Sequence, residues 1–328
     1  MMENGRFSPY RPALWLPGGH VQTIAAARLA LRRPVAYVRS RWETADQDFI
    51  DVDRSPHPVA DEAPLLVLFH GLEGSSQSHY AAAFMKACRK VGWLGVVPHF
   101  RGCSGEPNRL PRAYHSGDSA EIDWILRRLR LEHPGRAVYA VGVSLGGNAL
   151  LKWLGESGAA AGELVDKAAA ISAPIDLEAS AYNLSRGFNM RYTRFFLNSL
   201  IPKMLEKIAR FPGLADPNAV RRCKDFFDFD RVVTAPLHGF ANAHDYWRKS
   251  ASRPFLKSIA VPTLIVNAKN DPFLPGHFLP AARDVSPAVE LLYPQQGGHA
   301  AFPTRSRWPF GQDWLPRRCF EFFGVLDE

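Results

Sequence analysis

Three residues able to carry out nucleophilic acyl transfer stand in separate segments of this 328-residue chain: Ser144, Asp271 and His299. A serine hydroxyl becomes a useful nucleophile when an imidazole takes its proton and a carboxylate holds that imidazole in place. Ser144 sits in Val138-Tyr-Ala-Val-Gly-Val-Ser-Leu-Gly-Gly-Asn-Ala-Leu-Leu151, where a Val-rich run ends at Gly142 and a helix-compatible run follows the serine. That pattern reads as strand, tight turn and helix with Ser144 at the apex. Glycines at 142 and 146 let strand and helix approach closely, and the hydroxyl falls at a helix N-terminus, where the dipole favours developing negative charge. The G-x-S-x-G spacing alone is also met in turns with no chemistry, so its weight depends on the other two residues. Asp271 stands just beyond the apolar run Val261-Pro-Thr-Leu-Ile-Val-Asn-Ala268, and His299 follows Gly297 and Gly298.

A serine, an acid and a base so far apart in sequence need a frame that brings three loops to one edge. The segment Pro64-Leu-Leu-Val-Leu-Phe-His-Gly-Leu-Glu-Gly74 suits a strand buried on both faces, followed by a glycine-containing loop that starts at His70. The N–H of Leu72 in that loop and the N–H of Leu145 after the serine are the expected oxyanion-hole donors. His70 is expected to shape the loop rather than react. A helix over 79–91, a strand over 92–98 and the loop His99-Phe-Arg-Gly-Cys-Ser-Gly105 follow. Cys103 reads as a small loop residue, and His115 as structural. Asp118 with Glu121 reads as a capping box opening a helix that runs to Leu131. From residue 64 the alternation of strands and helices predicts an α/β fold with a mostly parallel, doubly wound sheet.

The alternation breaks after a strand over 168–174. Residues 175–253 are rich in aromatics and charges, with Pro202, Pro212, Pro217 and Pro236 expected between helices. They read as a helical cap insertion, which divides the chain into a first core part (1–174), the cap (175–253) and a second core part (254–328). Cap aromatics could line a pocket or form the cap's own core. Further strands are expected over 261–268 and 289–293, and a terminal helix over 308–323. Ahead of residue 64 the chain shows an Ala-rich helical stretch after Trp15-Leu-Pro-Gly-Gly-His-Val-Gln-Thr-Ile24, then candidate strands over 35–39 and 49–53. His20, without obvious partners, reads as structural.

Composition narrows the function classes. Hydrophobic residues make up 46% and charged residues 22%, as in an ordinary globular chain. The formal charge of +8 comes from basic residues scattered among acids, which argues against a nucleic-acid groove. The start of the chain shows no apolar h-region and no run approaches a membrane span, so neither a signal peptide nor an integral membrane segment is expected. Four cysteines, Cys88, Cys103, Cys223 and Cys319, are far apart, which fits a reducing compartment and predicts no metal site. The expected location is cytoplasmic, and the chemistry calls for no cofactor.

Ser144, Asp271 and His299 occur in the order nucleophile, acid, base, each after a predicted strand, which is the order of α/β-hydrolases among serine-triad folds. Asp176, which also follows a strand, is the competing acid. The chain resembles the YheT-like branch of the α/β-hydrolase fold family, whose relatives include α/β-hydrolase-domain lipases and medium-chain fatty-acid ethyl ester synthases/esterases. Nearly the whole chain takes part: Gly19-His-Val-Gln-Thr-Ile24, His70-Gly-Leu-Glu-Gly74, His99-Phe-Arg-Gly-Cys-Ser-Gly105, the Ser144 turn, Asn270-Asp-Pro272 and Gly298-His299. The resemblance implies a serine carboxylesterase acting on short- to medium-chain acyl esters or acylglycerols, with a small-molecule ester of apolar acyl chain as its partner. Some members carry an H-x4-D motif linked to acyl transfer. Here Ala120 follows His115 and Lys249 follows His244 at that spacing, which weighs against the alcohol acyltransferase alternative. A non-catalytic ligand-binding relative is the alternative outside enzymes; a serine at the turn rules out the carboxylate nucleophile of an epoxide hydrolase or dehalogenase.

Overall fold

The computed structural model describes residues 9–29, 35–305 and 311–325. The expected terminal helix starts at Trp314, and Trp308, the expected start, lies outside the described residues, as do the first eight residues of the chain.

Eight strands form one sheet: β1 (Val38–Glu43), β2 (Phe49–Arg54), β3 (Leu65–Phe69), β4 (Leu94–Pro98), β5 (Val138–Val143), β6 (Lys167–Ile171), β7 (Thr263–Val266) and β8 (Val289–Leu292). Their order across the sheet is β1-β2-β4-β3-β5-β6-β7-β8. Strands β3 to β8 pair in parallel, while β2 runs antiparallel to both β1 and β4. The predicted doubly wound sheet is therefore present from β3 onward. The first strand is displaced from the expected 35–39 to 38–43, because pairing with β2, from Val38 opposite Arg54 to Glu43 opposite Phe49, sets its extent.

The apolar run of β3 is buried on both faces, and its side chains alternate between two cores. Leu65, Val67 and Phe69 pack with Ile122, Ile125 and Leu126 of helix α3 (Ser119–Glu132) and Leu150, Leu151 and Leu154 of α4 (Leu145–Ser157). Leu66 and Leu68 face Phe84 and Met85 of α2 (His79–Lys90) and Phe320 and Phe323 of the last helix, Trp314–Phe323. A one-residue slip would exchange the two sets, so the register is strongly specified. In that register Phe69 lies opposite Gly142, and Val143 and Val266 both lie opposite Ile171. The loops that leave β3, β5, β6 and β7 thus emerge at one edge.

Ahead of the sheet, α1 (Gly18–Leu29) packs Ala25 and Ala26 against Ala13, Leu16 and Ala301. Between β6 and β7 the described chain holds helices and turns without a strand, chief among them α5 (Leu177–Leu184), α6 (Met190–Arg210) and α7 (Ala243–Ser250). Pro202 does not separate two helices; it lies inside α6. The hydrogen bond it removes would have gone to the carbonyl of Asn198, an exposed residue whose carbonyl can turn to water. Pro217 opens a short helix over Pro217–Arg221, where its missing N–H is no loss. Among the described residues no helix is long and apolar enough to cross a membrane.

Candidate active site

The chain turns at Ser144 with φ 54° and ψ −120°, a strained conformation for a residue with a side chain. Neighbouring glycines make that turn possible. A Cβ on Gly142 would meet the Gly146 carbonyl oxygen at 2.5 Å, and one on Gly146 would meet the carbonyl oxygens of Phe69 and His70 at 2.5 Å. Both clashes are with backbone, which cannot swing aside. Ser144 is also anchored by its own N–H, which donates to the Ile171 carbonyl at 2.8 Å. Its hydroxyl therefore projects from the sheet edge at the start of α4.

The other two residues meet it there. His299 Nε2 lies 2.9 Å from Ser144 Oγ, and His299 Nδ1 lies 3.0 and 3.1 Å from the two carboxylate oxygens of Asp271. An Nδ1–H donating to Asp271 leaves Nε2 as the acceptor facing the hydroxyl. Asp271 is 3% exposed, and Oδ1 accepts a further hydrogen bond from the Phe273 N–H at 2.8 Å. Phe273 stacks on the His299 ring with centroids 3.8 Å apart and planes 13° apart. An aromatic face at that distance favours the imidazolium that proton transfer would create.

The loop after β3 lies directly against the serine: a Cβ on Gly71 would be 3.1 Å from Ser144 Cβ. His70 is fully buried, with Nδ1 2.8 Å from the Gly71 carbonyl and Nε2 accepting the Phe100 N–H at 3.1 Å. Burial pushes its pKa down to about 3, so it bridges two loops as a neutral ring. This is the loop-shaping role expected of it. Glu73 takes a φ of 55° and is held on all sides: its N–H donates to the Tyr114 hydroxyl at 2.8 Å, and its carboxylate meets Tyr114, Ser199 and, at 2.7 Å, Lys203. Leu72, between these anchors, and Leu145 donate their N–H to no partner among the described residues.

A cavity of about 360 Å³ begins at Leu72 and Leu145 and runs under α6. Leu200, Met204, Phe229 and Val233 give it apolar walls, and His115, His238 and Asp230 give it polar ones. The two imidazoles are 4.5 Å apart, and burial lowers both pKa values, that of His238 to about 4. Cations of α6 that reach the cavity are engaged with the 101–112 loop. Lys203 reaches the Gly102 carbonyl at 3.1 Å. Lys207 donates to Asn108 Oδ1, Leu110 O and Arg112 O at 2.7 to 3.0 Å, and Arg210 donates to Asn108 O and Arg109 O at 3.0 and 3.3 Å. A larger hollow of about 830 Å³ lies beside β8 and includes none of the three residues.

The neighbours of the other candidate residues show what each of them does. Asp176, the competing acid, caps α5 by accepting the Ala179 N–H at 3.0 Å and lies 3.8 Å from Arg253. The capping box at α3 does not form, because stronger partners intercept both side chains. Both oxygens of Asp118 accept from Arg112 Nη2, at 2.7 and 2.8 Å, and Glu121 accepts from Arg101 Nε at 2.7 Å. Cys103 lines the cavity as a buried thiol with its pKa pushed up to about 12 by burial, which leaves it a small apolar residue. Among the aromatics of 175–253, Phe226, Phe229 and Tyr246 line the cavity, Tyr246 and Trp247 belong to a hydrophobic cluster with Leu177 and Ala243, and Phe188 and Phe195 are exposed. Among the described residues, no three His, Cys, Asp or Glu side chains are placed to share a metal ion.

Residues 64–306 match the family model described as alpha/beta hydrolase fold. The YheT protein of Escherichia coli (strain K12) is 44% identical over 86% of this chain and 84% of its own length. Human Phospholipase ABHD3 is 27% identical over 97% of this chain and 79% of that protein. Among solved structures, the Pyrococcus furiosus esterase Pf2001 superposes with a TM-score of 0.53 at 15% identity, covering 88% of this chain and 92% of that one; this likeness speaks to the fold alone.

Proposed function

The chain belongs to the α/β-hydrolase fold family and is a carboxylic ester hydrolase, and on that premise we propose that Ser144, His299 and Asp271 are its catalytic triad. The observation that carries this is the line of contacts from Ser144 Oγ through His299 to Asp271, at 2.9 and 3.0 Å. His299 Nε2 takes the hydroxyl proton as Ser144 Oγ attacks the ester carbonyl. Asp271 holds the ring in the Nδ1–H form and offsets its positive charge. The N–H groups of Leu72 and Leu145 receive the oxyanion, each worth about 3–4 kcal/mol of transition-state stabilisation in comparable sites. Collapse breaks the ester C–O bond, the alcohol leaves with the proton from His299, and Ser144 carries the acyl group. Water, deprotonated by the same imidazole, then releases the carboxylic acid and restores the serine.

The substrate is a small ester whose acyl chain, short to medium in length or part of an acylglycerol, occupies the cavity under α6. Residues 175–253 act as the cap that roofs it, and the enzyme works in the cytoplasm without a cofactor. A series of p-nitrophenyl esters from acetate to palmitate, hydrolysed by wild type and by Ser144→Ala, tests both chemistry and chain length. The expected result is a rate maximum at a short or medium chain that vanishes in the variant while its melting temperature is kept. Equal rates in the two proteins would overturn the triad.

A further inference from the structure

We propose that α1 is a splint for the catalytic base, with Gln22 and Thr23 as positioning residues that set where His299 stands; this rests on the triad reading above. Four successive N–H groups on the base loop, from Gly297 to Ala300, are each taken by a side chain from elsewhere. Gly297 N–H donates to Gln22 Oε1 at 2.9 Å, Gly298 N–H to Asn270 Oδ1 at 3.0 Å, His299 N–H to Thr23 Oγ1 at 2.9 Å and Ala300 N–H to Ser172 Oγ at 2.9 Å. The loop cannot satisfy these groups by regular structure, because its backbone enters the left-handed region at Gly297, Gly298, Ala300 and Phe302.

Gln22 ties the base loop to the acid loop. It is fully buried, and its amide makes four hydrogen bonds. Oε1 accepts both the Gly297 N–H and Asn270 Nδ2, the latter at 3.1 Å, while Nε2 donates to Leu16 O at 3.1 Å and to Gln296 Oε1 at 2.9 Å. Asn270 is the residue before the acid. One amide thus fixes the distance between the loop carrying Asp271 and the loop carrying His299. Thr23 completes the join by accepting from His299 and donating to the Gly19 carbonyl at 2.7 Å. The fit leaves no slack: a Cβ on Gly19 would meet the Asn270 carbonyl oxygen at 1.9 Å, and one on Gly298 would meet Thr23 Oγ1 at 2.7 Å.

A second contact reaches the imidazole itself. His20, on the same helix, stacks with Tyr192, Tyr192 touches Phe273, and Phe273 lies flat on His299. The helix therefore bears on the base through its backbone and through the aromatic ring that covers it. All of α1 lies outside residues 64–306, so the splint is an addition to the matched family core.

The test compares Thr23→Val, which keeps the side-chain shape and removes the acceptor, with Thr23→Ser, which keeps the hydroxyl, on p-nitrophenyl butyrate, with Ser144→Ala alongside. Displacing a catalytic group by about 1 Å costs on the order of 100-fold in rate, so Thr23→Val is expected to lower kcat by about that factor. Its KM is expected to stay within about twofold, because ground-state binding is untouched. Thr23→Ser is expected to restore kcat, and the low-field proton resonance of His299 Nδ1–H is expected to vanish in Thr23→Val and return in Thr23→Ser. Should Thr23→Val not fold, Thr23→Ala, which removes the acceptor without placing a methyl group against the His299 N–H, gives the same comparison. A Thr23→Val enzyme with wild-type kcat beside an inactive Ser144→Ala would overturn the splint and leave the triad standing. A Ser144→Ala enzyme of wild-type activity would overturn both.

Discussion

Ser144, the proposed nucleophile, and His299, the proposed base, are held in place by different strategies. The Ser144 turn depends on side chains that are missing: Gly142 clears the Gly146 carbonyl and Gly146 clears the Phe69 and His70 carbonyls, each a contact of 2.5 Å, and the hydroxyl is delivered by the start of α4. The His299 loop has strained backbone too, but its N–H groups are satisfied by Gln22, Thr23, Ser172 and Asn270, all remote in sequence. Preorganisation by close backbone packing fails abruptly when a glycine gains a side chain. Remote preorganisation is adjustable residue by residue, and exposes the base to variation far from the reaction.

The contrast can be broken first at the contact where the strategies meet. Asp271→Asn keeps the shape of the acid but favours the wrong imidazole tautomer, and kcat is expected to fall by about 10⁴-fold with the fold intact, by analogy with other serine triads. Circular dichroism beside the rate assay checks it, and a loss below tenfold would remove Asp271 from the triad. Next comes Gly146→Ala, which drives a methyl group into the Phe69 and His70 carbonyls. Overpacking against backbone is expected to destabilise by about 3 kcal/mol or more, read as a shifted urea midpoint together with lost activity. A Gly146→Ala protein with wild-type stability would show that close approach to the Phe69 and His70 carbonyls does not constrain the turn.

A smaller effect concerns the loop that carries Leu72. His70 has its folded pKa lowered to about 3 by burial, so between that value and the unfolded 6.5 the unfolded chain binds the extra proton. Its contribution to stability is therefore full above pH 6.5 and lost as pH falls through that window, amounting to about 2 kcal/mol at pH 5. Glu121 and Asp230, raised by burial to about 7 and about 6, act in the opposite direction, since their cost is relieved on protonation. Comparing wild type with His70→Gln cancels those terms. The wild type should lose about 2 kcal/mol more between pH 7 and pH 5; parallel urea curves would show that His70 does not titrate as a buried neutral ring. The smallest expected change is Phe273→Leu, which removes the ring on His299 and should slow kcat about fivefold, for a cation–π interaction of about 1 kcal/mol. An unchanged rate would mean the stack serves packing alone.

What the chain displayed openly follows the same division. The strands β3, β4, β5 and β7 were legible because burial on both faces leaves nearly unbroken apolar runs, and Ser144 and Asp271 could be picked out because each follows such a run, whereas His299 was marked by the two glycines before it. The role of Gln22 and Thr23 was not legible: polar residues in an Ala-rich helix carry no sign of partners at 270, 297 and 299. The capping box at Asp118 and Glu121 failed for a related reason. A local pattern weighs only neighbours, and the winning partners, Arg101 and Arg112, arrive on a loop that the pattern ignores. Pro202 misled because a proline inside a helix costs one backbone hydrogen bond, and a long helix with its cut carbonyl on exposed Asn198 can absorb that loss.

The grip of α6 on the 101–112 loop bears on how molecules pass in and out. Lys203, Lys207 and Arg210 hold carbonyl and amide oxygens rather than carboxylates, so raising salt has no ion pair to dissolve there, apart from Lys203 with Glu73. Swinging this helix away would release all of those oxygens together. Opening the cavity by moving α6 would therefore cost those six hydrogen bonds at once.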